Sequence, residues 1–213
     1  MIITISKPFT EIVDLLSRHK NIFIVGCAAC ATKCRTGGEE ALAVMAAALE
    51  NEGKTISGRK ILDTPCDIRV ARKDLKEIAG GTAGAVLVLA CGAGVQAVEK
   101  AVSIAVYPAL NPVFTGTTER IGIYHEYCSL CGDCILGKTG GICPLTRCAK
   151  GLVNGPCGGA AGGKCEVDRD DDCAWVLIAE KVKNNPPDKN SLKTFMPART
   201  TVKSRRITPL IKK

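Results

Sequence analysis

The chain has 213 residues, a mass of 22.4 kDa and a formal net charge of +8, enough length for one packed domain of ordinary size and a smaller one. Hydrophobic residues make up 46% of it but only eight are Phe, Trp or Tyr, so the core is expected to be aliphatic, a composition that favours an α/β fold. The longest apolar stretch, from 85 to 98, is broken by Gly92 and Gly94 and is shorter than the ~20 residues of a bilayer span, which argues against a membrane helix.

The N-terminal stretch MIITISKPFTEIVDLLSRHK carries Glu11 and Asp14 and lacks the pattern of a secretory leader, so it reads as the start of a fold in a cytoplasmic protein. In that compartment the thirteen cysteines are reduced thiols, and disulfides are the weaker reading. NIFIVGC (21–27) and AVLVLAC (85–91) are continuous apolar runs without alternation, the pattern of strands buried on both faces of a parallel sheet. After the first, Thr36 and Glu39 have the spacing of a capping box, Leu42, Met45 and Leu49 repeat at helical spacing, and Gly53 ends the helix. KILDTPCD (60–67) reads as a second strand with Cys66 just beyond it, and ARKDLKEIAG (71–80) as a surface helix ending at Gly80 and Gly81. VQAVEKAV (95–102) and SIAVY (103–107) complete the alternation as a last helix and strand. The expected fold is α/β: a flavodoxin- or Rossmann-like parallel-sheet domain at 1–118, then a small irregular cysteine-rich domain at 119–183, then an extended basic tail at 184–213.

In an open parallel sheet the carboxyl ends of the strands gather along one edge, where such folds bind ligands. Cys27, Cys66 and Cys91 fall at three such ends, and Cys30 and Cys34 follow Cys27 in the first βα loop as C-x2-C-x3-C. Five soft thiol donors are thus expected around one metal or iron-sulfur site, with one of the five to spare. CGAGVQA also fits G-x-G-x-x-A at Gly92, Gly94 and Ala97, but no acidic residue ends a strand about twenty residues on, so a tight turn beside a cofactor is preferred to nucleotide binding.

The second half holds Cys128, Cys131, Cys134, Cys143, Cys148, Cys157, Cys165 and Cys173, with abundant glycine and few large apolar residues. Such a stretch buries too little surface to order itself, so an inorganic staple is expected, and eight thiolates suffice for two four-ligand sites. Separated C-x2-C knuckles would indicate zinc. Three cysteines in succession as C-x2-C-x2-C, here Cys128, Cys131 and Cys134, are the run with which bacterial ferredoxins grip a cubane, and the later Cys143-Pro144 echoes its closing Cys-Pro. The gap before Cys143 is eight residues where that run has three, so the fourth ligand is expected from further along the chain.

GCAACATKCRTGGEEALAV, LACGAGVQ, HEYCSLCGDCILGKTGGICPLTRCAKGLVNGPCGG and DCAWVLIAEKVK together resemble the MetV-type small subunit of methylenetetrahydrofolate reductase, which in other organisms is a C-terminal domain of the reductase. The resemblance runs from about residue 23 to 183. It implies a partner, a MetF-type (βα)8 barrel that binds FMN and reduces methylene-tetrahydrofolate to methyl-tetrahydrofolate in one-carbon metabolism, notably the acetyl-CoA pathway of anaerobes. This chain would be its electron-delivery subunit, supplied by ferredoxin or another donor protein. The expected cofactors are two [4Fe-4S] clusters in the C-terminal domain and a third [4Fe-4S] cluster or zinc at the N-terminal thiols. The alternative is a structural zinc scaffold without a redox role. No general acid and base pair or activated nucleophile marks the chain as catalytic by itself.

Residues 181–213 carry ten Lys or Arg against Asp188 alone, so the chain's positive surplus lies in this proline-rich tail. With no aromatic residue beyond Phe195, the tail is expected to dock on the partner subunit, not on nucleic acid. His125 is expected to pack instead of ligating, His19 to sit on a surface helix, Trp175 to be core, and Asp170, Asp171 and Asp172 to open the helix that follows.

Overall fold

A computed structural model describes residues 1–184 apart from Glu77, Ala79 and Gly80. The chain divides into two compact units, Met1–His125 and Glu126–Lys213.

The first unit is mixed α/β. Strands β2 (Asn21–Cys27), β3 (Thr55–Leu62), β4 (Ala85–Leu89) and β5 (Ala105–Pro108) form a parallel sheet in the order β3-β2-β4-β5. Helices α2 (Cys30–Lys33) and α3 (Glu39–Asn51) connect β2 to β3, α4 (Ile68–Asp74) connects β3 to β4, and α5 (Gly92–Glu99) connects β4 to β5. Because β3 lies on one side of β2 and β4 on the other, the connections diverge between β2 and β4, the switch point at which open sheets of this kind take ligands. The continuous apolar runs are explained by burial on both faces: Ile22, Ile24 and Val25 of β2 and all five residues of β4 are at most 1% exposed. Leu42 and Leu49 of α3 and Val98 of α5 pack into the same core.

A second, three-stranded sheet, β1-β6-β7, is built from β1 (Ile2–Ser6), β6 (Leu110–Arg120) and β7 (Ile123–Cys128), with β1 antiparallel to β6. The domain boundary expected at 118 falls inside β6. Pro112 is accommodated because it faces Thr4 where the register slips between Ile3 and Thr4, so the missing N–H falls at an irregularity of the ladder. Gly116 is required within this strand, since a Cβ there would collide with the carbonyl oxygen of His125.

Other local expectations are corrected. The Thr36–Glu39 capping box does not form: Thr36 Oγ1 lies 2.7 Å from Thr4 Oγ1 and donates to the Ala31 carbonyl at 3.2 Å, and Gly38 is the N-cap of α3. Helix α4 starts three residues before the predicted one because the Asp67 side chain caps it, accepting the Arg69 N–H at 2.9 Å. The predicted end of that helix at Gly80 lies outside the described residues. His19 follows α1 (Phe9–Leu15) instead of lying on it, and its Nε2 is 3.0 Å from the Tyr107 hydroxyl.

Among its described residues the second unit contains the end of β7, α6 (Pro144–Arg147), α7 (Ala174–Asn184) and otherwise irregular chain. Its core cluster is small: Cys173, Trp175, Ile178 and Val182, with Ile142, Cys148, Ala160 and Val176 packed against it. Trp175 is core as expected, 7% exposed, with its Nε1–H donating to the Leu152 carbonyl at 2.9 Å. The aspartates do not open α7. Asp172 pairs with Lys164 at 2.8 Å, and the Asp171 carbonyl accepts the Cys165 N–H at 2.9 Å, closing a turn ahead of the helix. Eight glycines between Gly132 and Gly163 have positive φ, which accounts for the glycine content by backbone conformation. The tail at 185–213, with its basic residues, lies outside the described residues.

Candidate metal centres

In the first unit four thiols lie along the carboxyl edge of the parallel sheet. Cys27 ends β2 and is 7% exposed; Cys30 opens α2; Cys66 lies in the β3–α4 loop; Cys91 is the N-cap of α5 after β4. The loops are held together by the backbone: Ala28 N–H donates to the Leu62 carbonyl at 2.9 Å, and Cys27 N–H to Gly37 at 3.0 Å. Gly94 lets the Cys66 loop approach α5, because a Cβ there would come 3.4 Å from Pro65 Cγ and 2.9 Å from Ala90 Cβ. Gly94 therefore serves close packing, whereas a Cβ at Gly92 would meet open space. Burial pushes the Cys66 thiol up, and the negative charges of Cys91, Cys27 and Cys30 raise it further. Thiol donors of this kind favour a soft cation over a hard one.

Cys34 stands apart from this quartet. It is 9% exposed, its thiol donates to the Ile2 carbonyl at 3.9 Å, and it is not among the thiols whose charges act on Cys66.

In the second unit Cys128, Cys131, Cys134 and Cys143 line one cavity of about 360 Å³. The remaining four lie elsewhere in the unit. Cys148 packs on Cys173 and the α7 core, while Cys157 donates to Glu166 Oε2 at 3.1 Å. Glu166 also accepts from Lys150 Nζ at 2.7 Å, and the negative charges of Cys157 and Cys165 reach Lys150. The ammonium holds the Glu166 carboxyl below its usual range, and the carboxylate in turn raises Lys150. Neither residue was legible as part of a site, because sixteen positions separate them and no motif joins them. His125 Nε2 is 2.7 Å from Glu119 Oε2.

Among the described residues no three His, Cys, Asp or Glu side chains close on a single point in metal-binding geometry. The donors are nevertheless all thiols and come in groups of four, which fits an iron-sulfur cluster or a thiolate zinc site and no hard cation. Among the described residues no helix is long and apolar enough to cross a membrane.

Comparison with known proteins gives one family. Residues 107–201 match the family model described as "Methylene-tetrahydrofolate reductase C terminal", a span covering β6, β7 and the described part of the cysteine-rich unit. No curated protein and no solved structure matches the chain. The resemblance read from the cysteine motifs and the family match point the same way: residues 107–201 of this chain are similar to the methylene-tetrahydrofolate reductase C-terminal family.

Proposed function

We propose that the chain is the iron-sulfur subunit of a methylenetetrahydrofolate reductase, delivering electrons to the FMN of a MetF-type catalytic partner that reduces methylene-tetrahydrofolate to methyl-tetrahydrofolate. The observation that carries this reading is the grouping of twelve thiols. Four gather at the switch point of a parallel sheet, four line one cavity, and four sit around α7 and the Lys150–Glu166 pair, while the family match supplies the reaction.

Clusters held by such thiols would accept and pass on single electrons. The chain's own residues would hold them: Cys27, Cys30, Cys66 and Cys91 in the first unit, and the eight later cysteines in the second. A backbone amide already reaches one of these sulfurs, Leu130 N–H donating to Cys128 Sγ at 3.4 Å. The tail from 184 onward is assigned to docking on the partner, because its positive charge would meet acidic surface there.

Anaerobic purification with iron, sulfide and zinc analysis, and EPR after dithionite, tests the reading. About eight to twelve irons per chain is the expected result, four for each cluster; a colourless chain holding only zinc would leave it a scaffold. Co-expression with a MetF-type subunit should give a stable complex that removal of residues 186–213 weakens. An undiminished complex would dismiss docking by the tail.

A further inference from the structure

The C-x2-C-x2-C run lacks a closing cysteine at ferredoxin spacing, and the eight residues between Cys134 and Cys143 point, on spacing alone, to a ligand from further along. The path of the chain resolves this differently. Residues 135–142 fold back on themselves: Lys138 N–H donates to the Ile135 carbonyl at 2.8 Å, Gly141 N–H to Leu136 at 3.0 Å, and Ile142 N–H to Thr139 at 3.2 Å. Thr139, 1% exposed, ties the same loop with its hydroxyl on the Ile135 carbonyl at 3.2 Å. Gly140 (φ +61°) and Gly141 (φ +85°) supply left-handed turns that other residues rarely adopt. A Cβ at Gly140 would stand 2.9 Å from Lys181 Cβ, so the loop is seated on α7. The eight residues therefore form a closed excursion, and Cys143 returns to the cavity wall shared with Cys128, Cys131 and Cys134.

Two further features fit a cofactor in that cavity. Its volume of about 360 Å³ is roughly ten times the ~30 Å³ share of one water, ample for an eight-atom inorganic core. The run itself is wound tightly, with Leu130 at φ 53° and Gly132 at φ 84°, and the coil aims the Leu130 amide at Cys128 Sγ. Cys143 is then fixed as the N-cap of α6, with Pro144 at the first helical position.

We propose that Cys128, Cys131, Cys134 and Cys143 hold one [4Fe-4S] cluster in this cavity, Cys143 being its fourth ligand. The assignment rests on the iron-sulfur reading above. It leaves Cys148, Cys157, Cys165 and Cys173 as the second set of the unit and Cys34 as a thiol outside every set.

The test uses the full chain, purified anaerobically and reconstituted with ferrous iron and sulfide. Cys143→Ser and Cys128→Ser should each lose about four irons, and the double variant no more than either, because both serve one cluster. Loss of about eight by the double variant, each single losing four, would place them on different clusters and overturn the assignment. So would full iron retention by Cys143→Ser.

Alkylation of the unsubstituted chain gives an answer independent of whether a variant folds. As a chelator draws iron out, Cys143 should become reactive in step with Cys128, Cys131 and Cys134. Labelling of Cys143 while iron is complete, or in step with Cys148 instead, would overturn the assignment. A wild-type chain that takes up no iron overturns both this assignment and the reading it rests on, whereas an iron-replete wild type with an indifferent Cys143 overturns this assignment alone.

Discussion

Asp67 shows how one residue near the candidate site sets local structure. Its carboxylate caps α4 through the Arg69 N–H and also accepts from the Arg69 guanidinium at 2.7 Å, and these bonds lower its pKa to about 2. A pKa lowered on folding means that the carboxylate stabilises the fold above the ordinary carboxylate range and that this stabilisation is lost as pH falls through about 2. Asp67→Asn keeps an acceptor for the amide and removes the titration. Its urea midpoint should therefore change less than that of the wild type between about pH 5 and about pH 2.5, by a small margin because the pair is exposed. Equal acid sensitivity in both proteins would remove Asp67 from the account. Gly26 is constrained more tightly: a Cβ there would lie 2.5 Å from both the Gly37 carbonyl oxygen and Leu42 Cδ1, so β2 must remain bare where it passes the loop leading to α3.

Among the described residues of the second unit, α7 is the one regular element with a substantial buried face. Ile178 is fully buried at its centre, flanked by Trp175 and Val182, and the 135–142 loop rests on the same helix through Gly140. Ile178→Ala should cost about 2–5 kcal/mol through lost burial and an incompletely filled cavity. Hydrogen exchange should speed up at 139–148 and 174–184 while the amides of β2 and β4 stay as protected as before. Faster exchange in β2 would show that the two cores do not open separately. The first unit needs no such anchor, since β2 and β4 are covered on both faces by aliphatic side chains.

The whole molecule joins two units with different sources of order. The first buries a continuous aliphatic core, whereas the second buries four side chains in its cluster and surrounds them with glycine turns. On the proposed reading, bound metal supplies the missing stabilisation of the second unit, as folding and metal binding are coupled wherever thiolates must converge. Removing metal with a chelator should open residues 126–184 to protease while a fragment near 1–125 persists, read by mass spectrometry of the digest; protection of both units after metal loss would contradict that coupling. The sequence by itself determined the parallel α/β half, because strands buried on both faces leave continuous apolar runs. The family, too, was legible in the cysteine motifs. It did not reveal the β1-β6-β7 sheet, whose first strand lies more than a hundred residues before the other two and whose second contains a proline, nor the contacts of Glu166 with Lys150 and Cys157. Only the tertiary structure decided which thiols keep company, placing Cys34 apart from Cys27, Cys30, Cys66 and Cys91 and returning Cys143 to Cys128, Cys131 and Cys134. The reason is physical: spacing along the chain limits which sulfurs can meet, while loop closure and backbone hydrogen bonds select which of them do.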